Sequence, residues 1–383
     1  MGGTDTVRID GDGLVLPGGV RVRFIRTLRL PETGTHALPP GLGSFPLRRV
    51  EDFPGTVPAE WLARGGVMLP VYLREAMWLH FGGTSRPAAL QVGVGKVCAV
   101  SGKPWSGRLS SKPQNYLPLP DQPWLDGINS GHGTVRQFVA VPLGMGATVE
   151  GQVTGEETWG GIQLQVFGLT DGKLAEWTRL RAGSAAWPPP PGPVPTPPPY
   201  SGMPPAPAPY AAMPMPAPPD NMVFGAPPPA PGAAPGAPAP GAVPPPAPAG
   251  AAPQRSAPAM GLGAGGSMRQ QVHRDTRPLS NWSDKASGRV FVHLVTPPEW
   301  RRITGEAPPP SPVDRAAYTR AGLPWFEHYD ENAQDLDPSE TLSGVKPVGD
   351  WLGDDHTPWV APGPHQVVQL GDAPGSPVAD GDW

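Results

Sequence analysis

Cysteine is nearly absent from this chain. Cys98 stands alone among 383 residues, which rules out an intramolecular disulfide and a zinc site built from cysteines. It lies in the apolar run LQVGVGKVCAV, where a small buried thiol is the expected state. Long apolar runs are missing too: none reaches the ~20 residues a membrane-spanning helix needs. The opening MGGTDTVRIDGDGL has neither the basic start nor the apolar centre of a secretion signal. A cytoplasmic chain with no transmembrane segment is expected. Charge is sparse and balanced, 29 Lys+Arg against 33 Asp+Glu for a net charge of -4, so no nucleic-acid surface is expected at the level of the whole chain, although local basic patches stay open. Catalytic signatures are missing as well. There is no GxSxG elbow and no HExxH helix, and Gly95-Lys96 lacks both the upstream glycine and the following Ser/Thr of a phosphate loop. No cofactor and no metal site is expected.

What the chain has instead is proline and glycine, 60 and 51 residues, concentrated between Trp187 and Gly266. Repeated proline favours polyproline II geometry and removes backbone donors, so an extended, disordered Pro/Ala/Gly-rich linker is expected over 186–268. Tyr200, Tyr210 and the island Asn221 to Phe224 interrupt it with apolar groups that offer docking points. The remaining chain divides into a β-rich domain at 1–185, a small α/β segment at 269–348 and a flexible acidic, aromatic tail at 349–383.

Alternation carries the structural signal. Val20, Val22 and Phe24 alternate with Arg21 and Arg23, which predicts a strand with one solvated face. Val135 to Val141 reads as another. Ala147 to Val153 alternates with polar residues and, with Ile162 to Phe167, predicts an antiparallel hairpin. Ala76 to Phe81 and Ala89 to Val100 suggest a second. One buried and one wet face point to a mainly β fold, an antiparallel sandwich or barrel. Further on, Val290 to Val295 is apolar on both faces apart from His293, as in a strand covered on both sides. Thr296 to Glu299 has the form of a capping box opening a short helix that Gly305 stops, and Asp314 repeats the device ahead of Arg315 to Arg320. The segment GLPWFEHYDENAQDLD then sets Trp325, Phe326 and Tyr329 beside several carboxylates.

The chemistry with the best claim lies in DQPWLDGINSGHGTVR, which holds Asp121, Trp124, Asp126, His132 and Arg136. A histidine between glycines sits on an accessible loop close to Asp126, with Arg136 following, and suits acid/base work or a metal. The same residues serve equally as turn formers, with Trp124 capping the core. Glu156 and Glu157 read as ordinary solvated turn residues. In the tail, Gly349-Asp350-Trp351 is echoed by Gly381-Asp382-Trp383, so Trp351 and Trp383 join Trp124 as candidate binding residues. Asp350, Asp354, Asp355 and His356 carry donor atoms for a hard cation but no scaffold to fix them.

The strings PQNYLPLPDQPWLDGI, TVRQFVAVPLGMGATVEGQVTGEETWGGIQLQVF and GLPWFEHYDE resemble those of a family of uncharacterised bacterial and fungal proteins. That resemblance spans the first domain and the small later piece, not the linker, and implies no activity or site residue. The sequence therefore favours an interaction or scaffold protein, whose protein partner is met through the linker or the C-terminal tail, over an enzyme. The alternative is a hydrolase or carbohydrate-binding domain using the Trp124 to Arg136 loop.

Overall fold

Alternating residues build the sheet where they were expected to begin it. Val20, Val22 and Phe24 are fully buried in the strand Val20–Thr27, while Arg21 and Arg23 face solvent. The computed structural model describes residues 7–131, 133–184, 259–328, 330, 333–353 and 359–370. Within them Val20–Thr27 pairs antiparallel with Gly13–Leu16 on one side and Ala76–His80 on the other. The sheet continues through Thr134–Pro142 to Ala259–Arg269, whose first residues lie beside the end of Gly288–Val295. Gly288–Val295 then pairs with Ile162–Gly168, and that strand with Ala88–Val94. Seventeen strands share this sheet, and the architecture is mainly antiparallel β. Parallel exceptions are Val67–Pro70 against Gly288–Val295 and Thr35–His36 against Ala259–Arg269. A two-stranded parallel ribbon joins Trp325–Glu327 to Val367–Gln369. No helix among the described residues is long and apolar enough to cross a membrane.

Two expectations are corrected. The glycine-rich segment assigned to the end of the linker is the strand Ala259–Arg269, paired along most of its length with Thr134–Pro142. Its glycines reflect close approach, not freedom: a Cβ on Gly266 would lie 2.0 Å from the Pro31 carbonyl oxygen, and one on Gly263 would lie 2.7 Å from Val348. Met260, Leu262, Ala264 and Met268 are buried between them. The rest of the presumed linker, 186–258, lies outside the described residues.

The second correction concerns Ala147 to Val153, which forms no hairpin strand. Val149–Thr154 is a helix, because Thr148 Oγ1 accepts from Gly151 N at 2.9 Å as its N-cap and Gly155, at φ 78°, ends it in the left-handed region. Nor do Ala76–His80 and Ala88–Val94 pair with each other; each is buried in the sheet between other partners. Later elements follow the sequence more closely. Pro297–Thr304 is a helix ended by Gly305 in the left-handed region, and Asp314 caps Arg315–Arg320 through Ala317 N. Thr296, however, makes no side-chain cap bond.

Whether 269–348 packs on the first part, which the sequence leaves open, is answered by the core. Among the described residues, those up to 181 and those from 259 form one compact unit, and one apolar cluster takes Phe24, Leu90, Phe138 and Leu164 from the first part with Leu262, Val292 and Trp325 from the second. Each such burial contributes about 1.5–3 kcal/mol. Buried glutamines add directional clamps. Gln122 Oε1 accepts from His273 N at 2.8 Å while its Nε2 donates to Trp124 O and Gln271 O. Gln114 holds Asp275 N and His273 O in the same way. A buried amide that both donates and accepts stands in for a missing strand partner at these backbone groups.

Candidate functional site

Gly131 and Gly133 are held from three sides. Gly127–Gly131 forms a hairpin with Thr134–Pro142, and Thr134 Oγ1 donates to Gly131 O at 2.6 Å. Asn129 Nδ2 donates to Val100 O, and its Oδ1 accepts from Gly131 N. Asp335, from the far end of the chain, accepts from Gly133 N at 2.5 Å through one oxygen and from Val272 N at 2.9 Å through the other. A carboxylate that bridges two backbone amides in this way positions the turn, one bond to each oxygen.

Beside the turn opens a cavity of about 530 Å³, lined by Gly133, Thr134, Arg269, Gln271, Glu327 and Asp335 among others. Its polar edge is a chain of contacts. Arg269 lies 3.5 Å from Glu327, whose second oxygen accepts from Gln369 Nε2 at 2.7 Å. Gln271 exchanges two bonds with the Asp330 backbone. Arg269 is 72% exposed, so this ion pair is a wall feature and contributes little to stability. A smaller cavity shares Arg269, Gln270, Gln271 and His328 and reaches Trp124, whose ring meets His328 edge-on at 4.8 Å.

The candidates read from the sequence separate here. Trp124, half-buried, does border the smaller cavity. Asp126 is buried, 4% exposed, with its amide donating to Gln270 Oε1 and its carbonyl accepting from Phe138 N. Burial pushes its carboxyl up to about 7 against a modest opposing pull from the Trp124 side chain, and Oδ2 has no hydrogen-bond partner. It is therefore a core residue, not the loop residue the Asp-Gly pair suggested. Arg136 points away from acid/base work, because its guanidinium donates to the Val345 carbonyl. His132 lies outside the described residues. Asp121 forms an ion pair with Arg277 at 2.9 Å.

Trp351, 40% exposed on the short helix Gly349–Leu352, is on a different part of the body, over Gly146. Trp383 and 354–356 lie outside the described residues. Among those described, no group of three His, Cys, Asp or Glu side chains is placed to hold a metal. Cys98 is buried, with its thiol pushed up by desolvation and donating to Asn115 O. Glu157 departs from expectation. Burial pushes its carboxyl up, but bonds from Thr148 Oγ1 and the Gly146, Thr148 and Gly144 amides outweigh that and leave it below the usual carboxylate range. It staples the 143–148 turn and is no free turn residue.

Sequence reasoning missed Arg269, Gln271, Glu327 and Asp335 as wall residues. The alternation of Met260, Leu262 and Ala264 with glycine was the available signal for the strand that delivers Arg269. Nothing local marks Asp335, whose role depends on a contact with residue 133, 202 positions away. No family model matches the chain, and neither a curated protein nor a solved structure matches it.

Proposed function

We propose that this chain is a cytoplasmic interaction protein that works by binding, not turnover, and that its β-rich body takes a polar ligand group into the cavity beside Gly133 and Thr134. One observation carries the reading: both carboxylates on the cavity wall already accept hydrogen bonds from the protein. Asp335 bridges two amides, Glu327 accepts from Gln369 and faces Arg269, and the wall's imidazole, His328, packs edge-on against Trp124. Acid/base catalysis needs a group free to exchange a proton with substrate. Recognition instead benefits from polar groups whose geometry is preset. The volume is in the range of small-ligand sites, roughly 300–1,000 Å³. The Pro/Ala/Gly-rich composition of 186–258 suits a tether that meets a protein partner, and the Gly349-Asp350-Trp351 segment offers a second contact.

Isothermal titration of the full chain against mono- and disaccharides, amino acids and short polar peptides tests the reading. Binding that Glu327→Gln and Arg269→Gln weaken, without product formation, supports it. Turnover of any of these ligands, abolished by Glu327→Gln, sinks it. A second reading, a carbohydrate-binding or hydrolytic domain at the Trp124 to Arg136 loop, draws on the Trp124–His328 edge contact at the adjoining cavity. Trp124→Ala that leaves glycan binding and hydrolysis across a glycan and ester panel unchanged removes it.

A further inference from the structure

On another part of the same body, four arginines from four separate elements converge on one cavity of about 480 Å³. Arg8 comes from the strand Arg8–Asp10, Arg49 from Arg48–Arg49, Arg64 from the last turn of Ala59–Arg64 and Arg289 from Gly288–Val295. Glu51 is the one carboxylate on the described wall. In a chain whose net charge is -4, this is a strong local reversal of sign.

The arginines are not simply neutralised by neighbours. Arg49 donates to Glu51 and to the Val7 carbonyl, and Arg289 donates to Gln163 Oε1 at 2.8 Å, a neutral acceptor. Arg64 is held by rings. Its guanidinium carbon lies 4.8 Å from the Trp159 ring centre and 4.7 Å from that of Phe291. Stacking of this kind fixes the plane of the fork while leaving its edge donors available. Among the described residues neither Arg8 nor Arg64 has a side-chain hydrogen bond or ion pair. Glu150 and Glu60 act on Arg64 only from a distance, and Glu150 is occupied by the Trp159 and Gly160 amides. A solvated charge run would come from one exposed segment. Here, convergence from residues 8 to 289, ring-held orientation and unused donors make a preset cationic bowl.

We propose that this cavity binds a small molecule carrying two or more phosphoryl charges. Arginine forks match phosphate oxygens in bidentate fashion, and several forks arriving from different directions suit tetrahedral groups better than a single planar carboxylate. Val7, Val67 and Phe291 line the remainder and leave room for an apolar or ring-bearing body. The site shares no lining residue with the cavity beside Gly133, so the two assignments stand or fall separately.

Inorganic pyrophosphate is the probe, titrated calorimetrically into the full chain at low ionic strength, with citrate and sulfate as comparison anions. Pyrophosphate should bind and raise the melting temperature, and added salt should weaken it. Arg64→Gln should weaken binding at least about ten-fold, the factor expected for a lost charged hydrogen bond. Arg8→Gln, at an exposed position with no structural partner, should do the same without altering the melting temperature of the free protein, so a folding defect in Arg64→Gln cannot mask the result. Arg320→Gln, exposed and outside the cavity, should bind as the parent does. Absence of pyrophosphate binding at millimolar concentration, equal loss in Arg320→Gln, or citrate binding as tightly as pyrophosphate would each overturn the proposal.

Discussion

Replacing Asp126 by Asn should make the protein more stable at neutral and alkaline pH while changing little in acid. The Asp126 carboxyl is buried, one of its oxygens has no partner, and desolvation raises its pKa from 3.8 to about 7. In the unfolded chain it ionises near its ordinary value. Between the two values the folded state holds a proton that the unfolded state has released, so stability falls as pH rises through this window and then levels off. A gap of about 3 pKa units corresponds to about 4 kcal/mol, complete above pH 7. Asparagine removes the ionisation and nearly preserves the shape. Guanidinium unfolding of parent and Asp126→Asn, repeated from pH 4 to 8, should give two stability curves that diverge toward alkaline pH. Other titrating groups are common to both proteins and cancel in the difference. Parallel curves would refute the argument, because they would mean the carboxyl ionises as easily folded as unfolded.

Other substitutions probe the frame. His293 is buried, stacked on Trp61 at 4.4 Å with Nε2 on the Gly65 carbonyl, and burial chiefly lowers its pKa to about 4. Its contribution is therefore full above about pH 6.5 and lost as pH falls toward 4, about 3 kcal/mol in all; His293→Gln, which keeps a donor, should flatten the acid limb of the denaturation profile, and an unaltered limb would count against it. Thr148→Ala removes the N-cap of Val149–Thr154 and a bond to Glu157, so urea unfolding should show a loss of about 1–2 kcal/mol. Gly266→Ala places a Cβ against the Pro31 carbonyl and should cost about 3 kcal/mol or more, read as a lowered melting temperature; a parent-like melt would show that the strand does not pass so close.

Much of the sheet was legible because alternation at Val20 to Phe24 and Val135 to Val141 has one physical meaning when the buried face is continuous. The segment 147–153 was ambiguous in kind. Val149 and Val153 share a face at strand spacing and also at helical i,i+4 spacing, and Thr148 with Gly155 decided for the helix. Glycine misled at Ala259–Arg269 because composition reports flexibility and close packing with the same letter. Asp126 looked like a turn former, since Asp-Gly is a turn signal, yet Gln270 from beyond the linker buries it. The two cavities could not be read at all. Each is assembled from segments more than a hundred residues apart, and no local pattern encodes which ones meet.

Both cavities depend on residues after 258 completing the body begun before 185, and amide hydrogen exchange across Met260–Arg269 tests that dependence most directly. If this segment is a central strand, its amides should be protected to the same degree as those of Thr134–Pro142, close to the free energy of global unfolding. Exchange at the rate of an unstructured peptide while Thr134–Pro142 stays protected would contradict the account, removing the strand, the walls carried by Arg269 and Gln271, and the single body that holds Arg289 opposite Arg64.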